Sequence, residues 1–166
     1  MGEFLLAPRN RILRLLERDP GLHLRELPRR LDVSLNTVRY HLDILEREDA
    51  VTAHRSGRFE RWFLAQSFSR EDRSVISALR VRGERAILER LLRHGPSRFV
   101  TLREHAHASP ASLVRYLNQL TADGLVFLDA ERRYCLRDDE ALRARMDTYR
   151  SRFPDLLADA AAEIFD

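Results

Sequence analysis

Ten positions between Ile12 and Val51 recur 75 residues later in the chain with matching character. Ile12 returns as Ile87, Leu13 as Leu88, Leu16 as Leu91, Leu24 as Phe99 and Leu27 as Leu102. Ser34 then returns as Ser109, Val38 as Leu113, Leu42 as Leu117, Leu45 as Leu120 and Val51 as Val126. A shared helical period would align some apolar positions, but it would not also align a serine and the loop lengths between helices. The interval predicts two copies of one domain, near 7–65 and 82–138. It gives a division into a first domain 1–66, a linker helix 67–81, a second domain 82–138 and a C-terminal helical segment 139–166.

Each copy reads as three helices followed by a hairpin. Pro8 opens the first helix, whose Ile12, Leu13, Leu15 and Leu16 form an apolar stripe, and Asp19-Pro20-Gly21 ends it. A second helix is expected over 24–31, bent at Pro28, with Glu26 near its positive end. His23 is placed as its cap. Asp32-Val33 forms a turn, and Ser34 caps a third helix over 35–48. Strands follow at 51–55 and 58–64 around Ser56-Gly57. Ser69 caps a helix over 70–80, and Gly83 interrupts the pattern before the second copy. The fold class is therefore mainly α with small β-hairpin wings: two tandem winged helix-turn-helix domains and a C-terminal helix.

In such a unit the third helix fits the major groove and the hairpin reaches a neighbouring groove or the phosphates. With Val38, Leu42 and Leu45 buried, the opposite face of the helix carries Asn36, Thr37, Arg39, Tyr40 and Asp43 beside the cap Ser34. Arg39 can fork onto guanine, Asn36 onto adenine, and Thr37 or Tyr40 can reach phosphate. Asp43, four residues after Arg39, could accept from a cytosine amine, but a local pair with Arg39 is the expected role. The wing at 54–61 supplies His54, Arg55, Arg58 and Arg61. The second copy offers Ser112, Arg115 and Asn118, with Ala111 and Val114 among them, and a shorter wing in which Asp129 and Glu131 precede Arg132-Arg133. Weaker phosphate contact is expected there.

The stretch Ser34-Leu-Asn-Thr-Val-Arg-Tyr-His-Leu-Asp-Ile-Leu-Glu, followed by Ala50-Val51, resembles the ArsR- and MarR-like winged-helix regulators. Those families close this helix with Gly-Leu-Val; the first copy has Asp49-Ala50-Val51, and the second has Gly124-Leu125-Val126. The whole chain resembles archaeal regulators with two such domains and a C-terminal helix. The resemblance implies duplex DNA as partner, transcriptional regulation as function, and pairing of two copies through terminal helices.

All 29 basic residues are arginine, each a planar fork suited to phosphate and guanine, and no lysine is available as a nucleophile. Residues 1–137 carry 25 arginines and 18 acids, while 138–166 carry 4 arginines and 8 acids. The basic body is expected to meet a polyanion and the acidic tail to lie away from it. Leu156, Leu157, Ala160, Ala161 and Ile164 form an apolar stripe in that tail, with Phe153 and Phe165 at its ends. It is expected to hold a homodimer or to fold back on the second domain.

Cys135 is the single cysteine, and the six histidines have no carboxylate or cysteine cluster around them, so neither a metal nor a cofactor is expected. No phosphate loop, nucleophile elbow or carboxylate pair points to an enzyme. Glu3 in a short leading segment argues against a secretory signal, and no apolar run is long enough for a membrane span, which suggests the cytoplasm. The competing function is a winged-helix protein-interaction scaffold or polymerase-associated factor. Arg39, Arg55 and Arg58 discriminate, since a scaffold needs no cations on both helix and wing.

Overall fold

A computed structural model describes residues 7–56 and 59–154. The chain separates into two compact units, with the boundary between Arg73 and Ser74. The first unit starts with α1 (Pro8–Arg18), whose Ile12, Leu15 and Leu16 turn inward. Gly21, at φ 76°, makes the turn that follows, a backbone region that glycine enters without a Cβ clash. The chain then runs through β1 (Leu22–His23), α2 (Glu26–Leu31) and α3 (Leu35–Arg47). The hairpin β2 (Val51–Ser56) and β3 (Phe59–Leu64) completes a three-stranded antiparallel sheet ordered β1-β3-β2. Ile12, Leu16, Leu22, Leu27, Val38, Leu42, Leu45, Val51 and Trp62 form one buried cluster that ties all three helices to the sheet.

Several local expectations change. The second helix begins at Glu26, so Pro28 falls in its first turn, where a missing N–H costs no intrahelical bond and no bend is needed. The N-cap is Arg25. His23 lies two residues earlier on β1, where its Nδ1 accepts from the Arg25 N–H at 3.2 Å and its own N–H donates to Glu26 at 2.6 Å. Asp32 ends α2 in the left-handed region at φ 50°.

Ser69 caps α4 (Arg70–Leu79) in a reciprocal box. Its Oγ accepts from the Asp72 N–H, and the Asp72 carboxylate accepts from the Ser69 N–H, each at 3.0 Å.

The second unit repeats the element order with α5 (Arg82–His94), α6 (Phe99–His105), α7 (Pro110–Ala122), β4 (Val126–Leu128) and β5 (Tyr134–Leu136). Helices α3 and α7 begin and end 75 residues apart. The hairpins differ. Val51 pairs with Leu64, 13 residues on, whereas Val126 pairs with Leu136, 10 residues on. The second wing is thus shorter by three residues, and beyond it the equivalence shifts to 72: Trp62 corresponds to Tyr134. A single bridge, Ser97 to Tyr134, stands where Leu22 pairs with Trp62 in the first unit.

Gly83 is not an interruption. It is buried in the first turn of α5, where an added Cβ would lie 2.2 Å from the Tyr116 ring on α7. Last comes α8 (Asp139–Arg152), capped by Asp138, whose carboxylate accepts from the Ala141 N–H. It lies on α5: Arg143 donates to the Leu92 carbonyl at 3.0 Å and Arg150 pairs with Glu89 at 2.5 Å. Phe153 ends the helix, buried and stacked on Tyr149 at 6.4 Å. The tail positions Leu156, Leu157, Ala160, Ala161, Ile164 and Phe165 lie outside the described residues. No helix among the described residues is long and apolar enough to cross a membrane.

Candidate nucleic-acid interface

The third helix of the first unit presents its proposed face as the heptad-like pattern demands. Val38, Leu42 and Leu45 are buried, and Asn36, Arg39, Tyr40 and Asp43 are exposed, with Thr37 half-buried at the edge. Ser34 is the N-cap: its Oγ accepts from the Thr37 N–H at 3.0 Å and lies 2.8 Å from the Thr37 hydroxyl. Both hydroxyls therefore serve the helix start first, fixing the angle at which α3 leaves the turn. Tyr40, at 63% exposure, stands edge-on to His41 at 5.2 Å. The expected pair between Arg39 and Asp43 does not form. Neither side chain has an ion pair among the described residues, so the Arg39 fork is free to meet an external acceptor.

The wing differs more from expectation. Arg55 is exposed but held by two carboxylates, Glu60 across the hairpin at 2.8 Å and Glu46 on α3 at 3.6 Å. The hydrogen bond to Glu60 raises its already high pKa. Arg61 donates to the Gly21 carbonyl at 3.1 Å and pins the base of the wing to the turn after α1. His54 and His23 flank Arg61 in register on the two neighbouring strands, and His54 is half-buried. Arg61 and His54 thus belong to the body of the sheet more than to its tip. Arg58 lies outside the described residues.

Three exposed residues beside this face escape a reading that starts from the recognition helix. Arg25, the N-cap of α2, and Arg29, one turn further along it, are both exposed. The signal was available: the first helix of a helix-turn-helix crosses the phosphate backbone, so cations four apart on it are candidate contacts. Phe59, 51% exposed at the wing's tip, touches His23 edge-on at 5.5 Å.

In the second unit Ser109 caps α7, accepting from the Ser112 N–H at 3.1 Å, and its hydroxyl lies 3.0 Å from that of Ser112. Arg115 and Asn118 are exposed, and the Arg115 guanidinium lies over the Tyr116 ring at 5.3 Å. Val100 and Val114 are exposed at the positions held by Arg25 and Arg39 in the first unit. The shorter wing is neutralised within itself. Asp129 accepts from the Arg133 N–H at 2.8 Å and from its guanidinium at 2.9 Å, and Glu131 lies 3.6 Å away. The backbone bond from Arg133 is the main reason that the Asp129 carboxyl sits below the usual carboxylate range. Burial raises the neighbouring Cys135 thiol, aided by Asp129. Among the described residues, no three His, Cys, Asp or Glu side chains group to hold a metal ion.

Residues 7–76 match a protein family described as an N-terminal HTH domain. No curated protein matches the chain. Among solved structures, the mRNA-binding domain of elongation factor SelB from E. coli, in complex with SECIS RNA, is similar. The two share 15% identity over 79% of this chain and 98% of that one, with a TM-score of 0.40.

Proposed function

We propose that the protein is a duplex-DNA-binding transcriptional regulator of the ArsR- and MarR-like winged-helix kind, and that its first unit reads DNA. The observation that carries this reading is the open face of α3, where Asn36, Arg39 and Tyr40 are exposed and Arg39 has no ion pair among the described residues. An exposed guanidinium fork on a helix seated by an N-cap is suited to the O6 and N7 of guanine, and Asn36 one turn earlier is suited to adenine. Arg25 and Arg29 at α2 join the set as phosphate contacts, with Arg55 and Arg58 on the wing. Asp43, exposed on the same helix, is suited to accept from a cytosine amine. Ser34 and Thr37 set the helix start, and Ser112, Arg115 and Asn118 make a secondary contact.

Arg55 can serve only after leaving Glu46 and Glu60. An exposed pair contributes about 0–1 kcal/mol, less than a duplex phosphate can return, so the pairs tune the contact without blocking it. The experiment is duplex binding by fluorescence anisotropy across a salt series: a steep fall of affinity with salt is expected, and salt-independent binding or none refutes the reading.

The chain works without catalysis in the cytoplasm, as a homodimer joined through its C-terminal segment. The tail is acidic and is repelled by phosphate, and a two-fold dimer sets two α3 helices about 34 Å apart, one turn of DNA. The scaffold reading finds support in one place, the second unit, where the positions of Arg25 and Arg39 carry valine.

A further inference from the structure

The second unit keeps the helix-turn-helix frame and replaces its reading residues. At the places of Arg25, Asn36 and Arg39 stand Val100, Ala111 and Val114, all three exposed, and Leu128 is exposed on the adjoining strand at the place of half-buried Ala53. The equivalence is anchored by Leu27 and Leu102, and by Leu42 and Leu117, all buried at matching positions. Its wing cation Arg133 is tied to Asp129 and Glu131. Where the first unit offers Arg25, Asn36 and Arg39, this surface is apolar, and Glu104 stands exposed at the place of Arg29. Arg115 on α7 and Arg132 on the wing are exposed cations, and Arg103 is half-buried on α6.

We infer that this face is a docking site for the C-terminal segment 155–166 of a second copy of the chain. The segment supplies what the face lacks. Asp155, Asp159, Glu163 and Asp166 are its only charges, opposite in sign to Arg115 and Arg103, and Leu156, Leu157, Ile164 and Phe165 are apolar partners for Val100, Val114 and Leu128. Its length matches as well: twelve residues span about 18 Å as a helix, close to the length of α7 itself. An amphipathic helix laid along an apolar groove is a recurrent mode of peptide recognition. The exchange is reciprocal, two equal contacts related by a two-fold axis. This rests on the homodimer proposed above and specifies what the tail docks on.

Light scattering on the full chain at tens of micromolar tests it, with three proteins: the natural chain, Val114→Glu, and the double variant Leu157→Glu, Ile164→Glu. The natural chain is expected to be a dimer, and each variant to halve the mass while circular dichroism and duplex binding by the first unit persist. If Val114→Glu fails to fold, Val100→Glu, at an exposed position on α6, takes its place with the same expectation. A dimer broken by the tail variant but not by Val114→Glu or Val100→Glu overturns the docking site and leaves the dimer reading intact. A dimer broken by the face variant but not by the tail variant overturns the occupant. A natural chain that is already monomeric overturns both.

Discussion

Arg55 of the wing reaches Glu46 of α3 at 3.6 Å, so the hairpin and the helix proposed to read DNA share an ion pair. Glu60 holds the same guanidinium from the opposite strand at 2.8 Å. Replacing Glu60 by Gln removes one negative charge beside the wing and loosens Arg55 toward phosphate. Duplex affinity at low salt should rise several-fold, and the salt dependence should steepen by up to about one phosphate contact. The slope of log affinity against log salt checks it, and an unchanged or shallower slope counts against a phosphate role for Arg55.

A second prediction concerns Gly83 and Tyr116. Alanine at Gly83 would improve helix propensity by up to about 1 kcal/mol, but its Cβ would lie 2.2 Å from the Tyr116 ring. Displacing the ring should cost about 1–3 kcal/mol, so Gly83→Ala should destabilise the chain on balance. In a Tyr116→Ala background the sign should reverse. Thermal unfolding of the four proteins in the cycle reads this out.

The caps offer a third. Ser34→Ala and Ser109→Ala each remove a side-chain acceptor for an orphan N–H at a helix start. Each should lower stability by about 1 kcal/mol, while Ser34→Asp should keep most of it. Equal melting temperatures for Ser34→Ala and the natural chain would show that the cap is idle.

These caps were legible in the sequence, and so was much of the fold. Buried apolar positions at 3.6 spacing mark helices regardless of context, and Ser34 and Ser109 mark starts. What escaped depends on partners far along the chain. Two residues, Leu22 and His23, form a strand only because Trp62 and Arg61 lie beside them. Gly83 reads as a breaker until Tyr116 is seen above it. The wing cations look alike in sequence, but the carboxylates of Glu46 and Glu60 and the Gly21 carbonyl engage Arg55 and Arg61 while the fork on Arg39 stays open. Charge spacing along one helix suggested an Arg39–Asp43 pair, and exposed side chains gain too little from such pairing to hold it.

His23 gives a pH prediction. Burial holds its imidazole below the ordinary value of 6.5, with Arg61 adding to the effect, while Glu26 opposes it. The folded state therefore binds a proton less readily than the unfolded chain. The neutral ring contributes stability that is present above pH 6.5 and lost as pH falls through and below that value. Protonation also removes the Nδ1 acceptor used by the Arg25 N–H. Urea unfolding between neutral and mildly acidic pH should show His23→Gln with a flatter profile than the natural chain, and parallel profiles would remove His23 as the cause.

The central claim is that the first unit reads DNA through α3 and that the second does not do so equally. Anisotropy titrations of a selected duplex with Arg39→Ala and Arg115→Ala test it most directly. Arg39→Ala should cost about 1–3 kcal/mol and relax preference at one base pair, because the proposed role of the fork it removes is to meet an acceptor on a base. Arg115→Ala should leave affinity within a factor of two or so, since Ala111 and Val114 beside it offer no polar readout. Equal losses at both positions, or no loss at Arg39, would contradict the account.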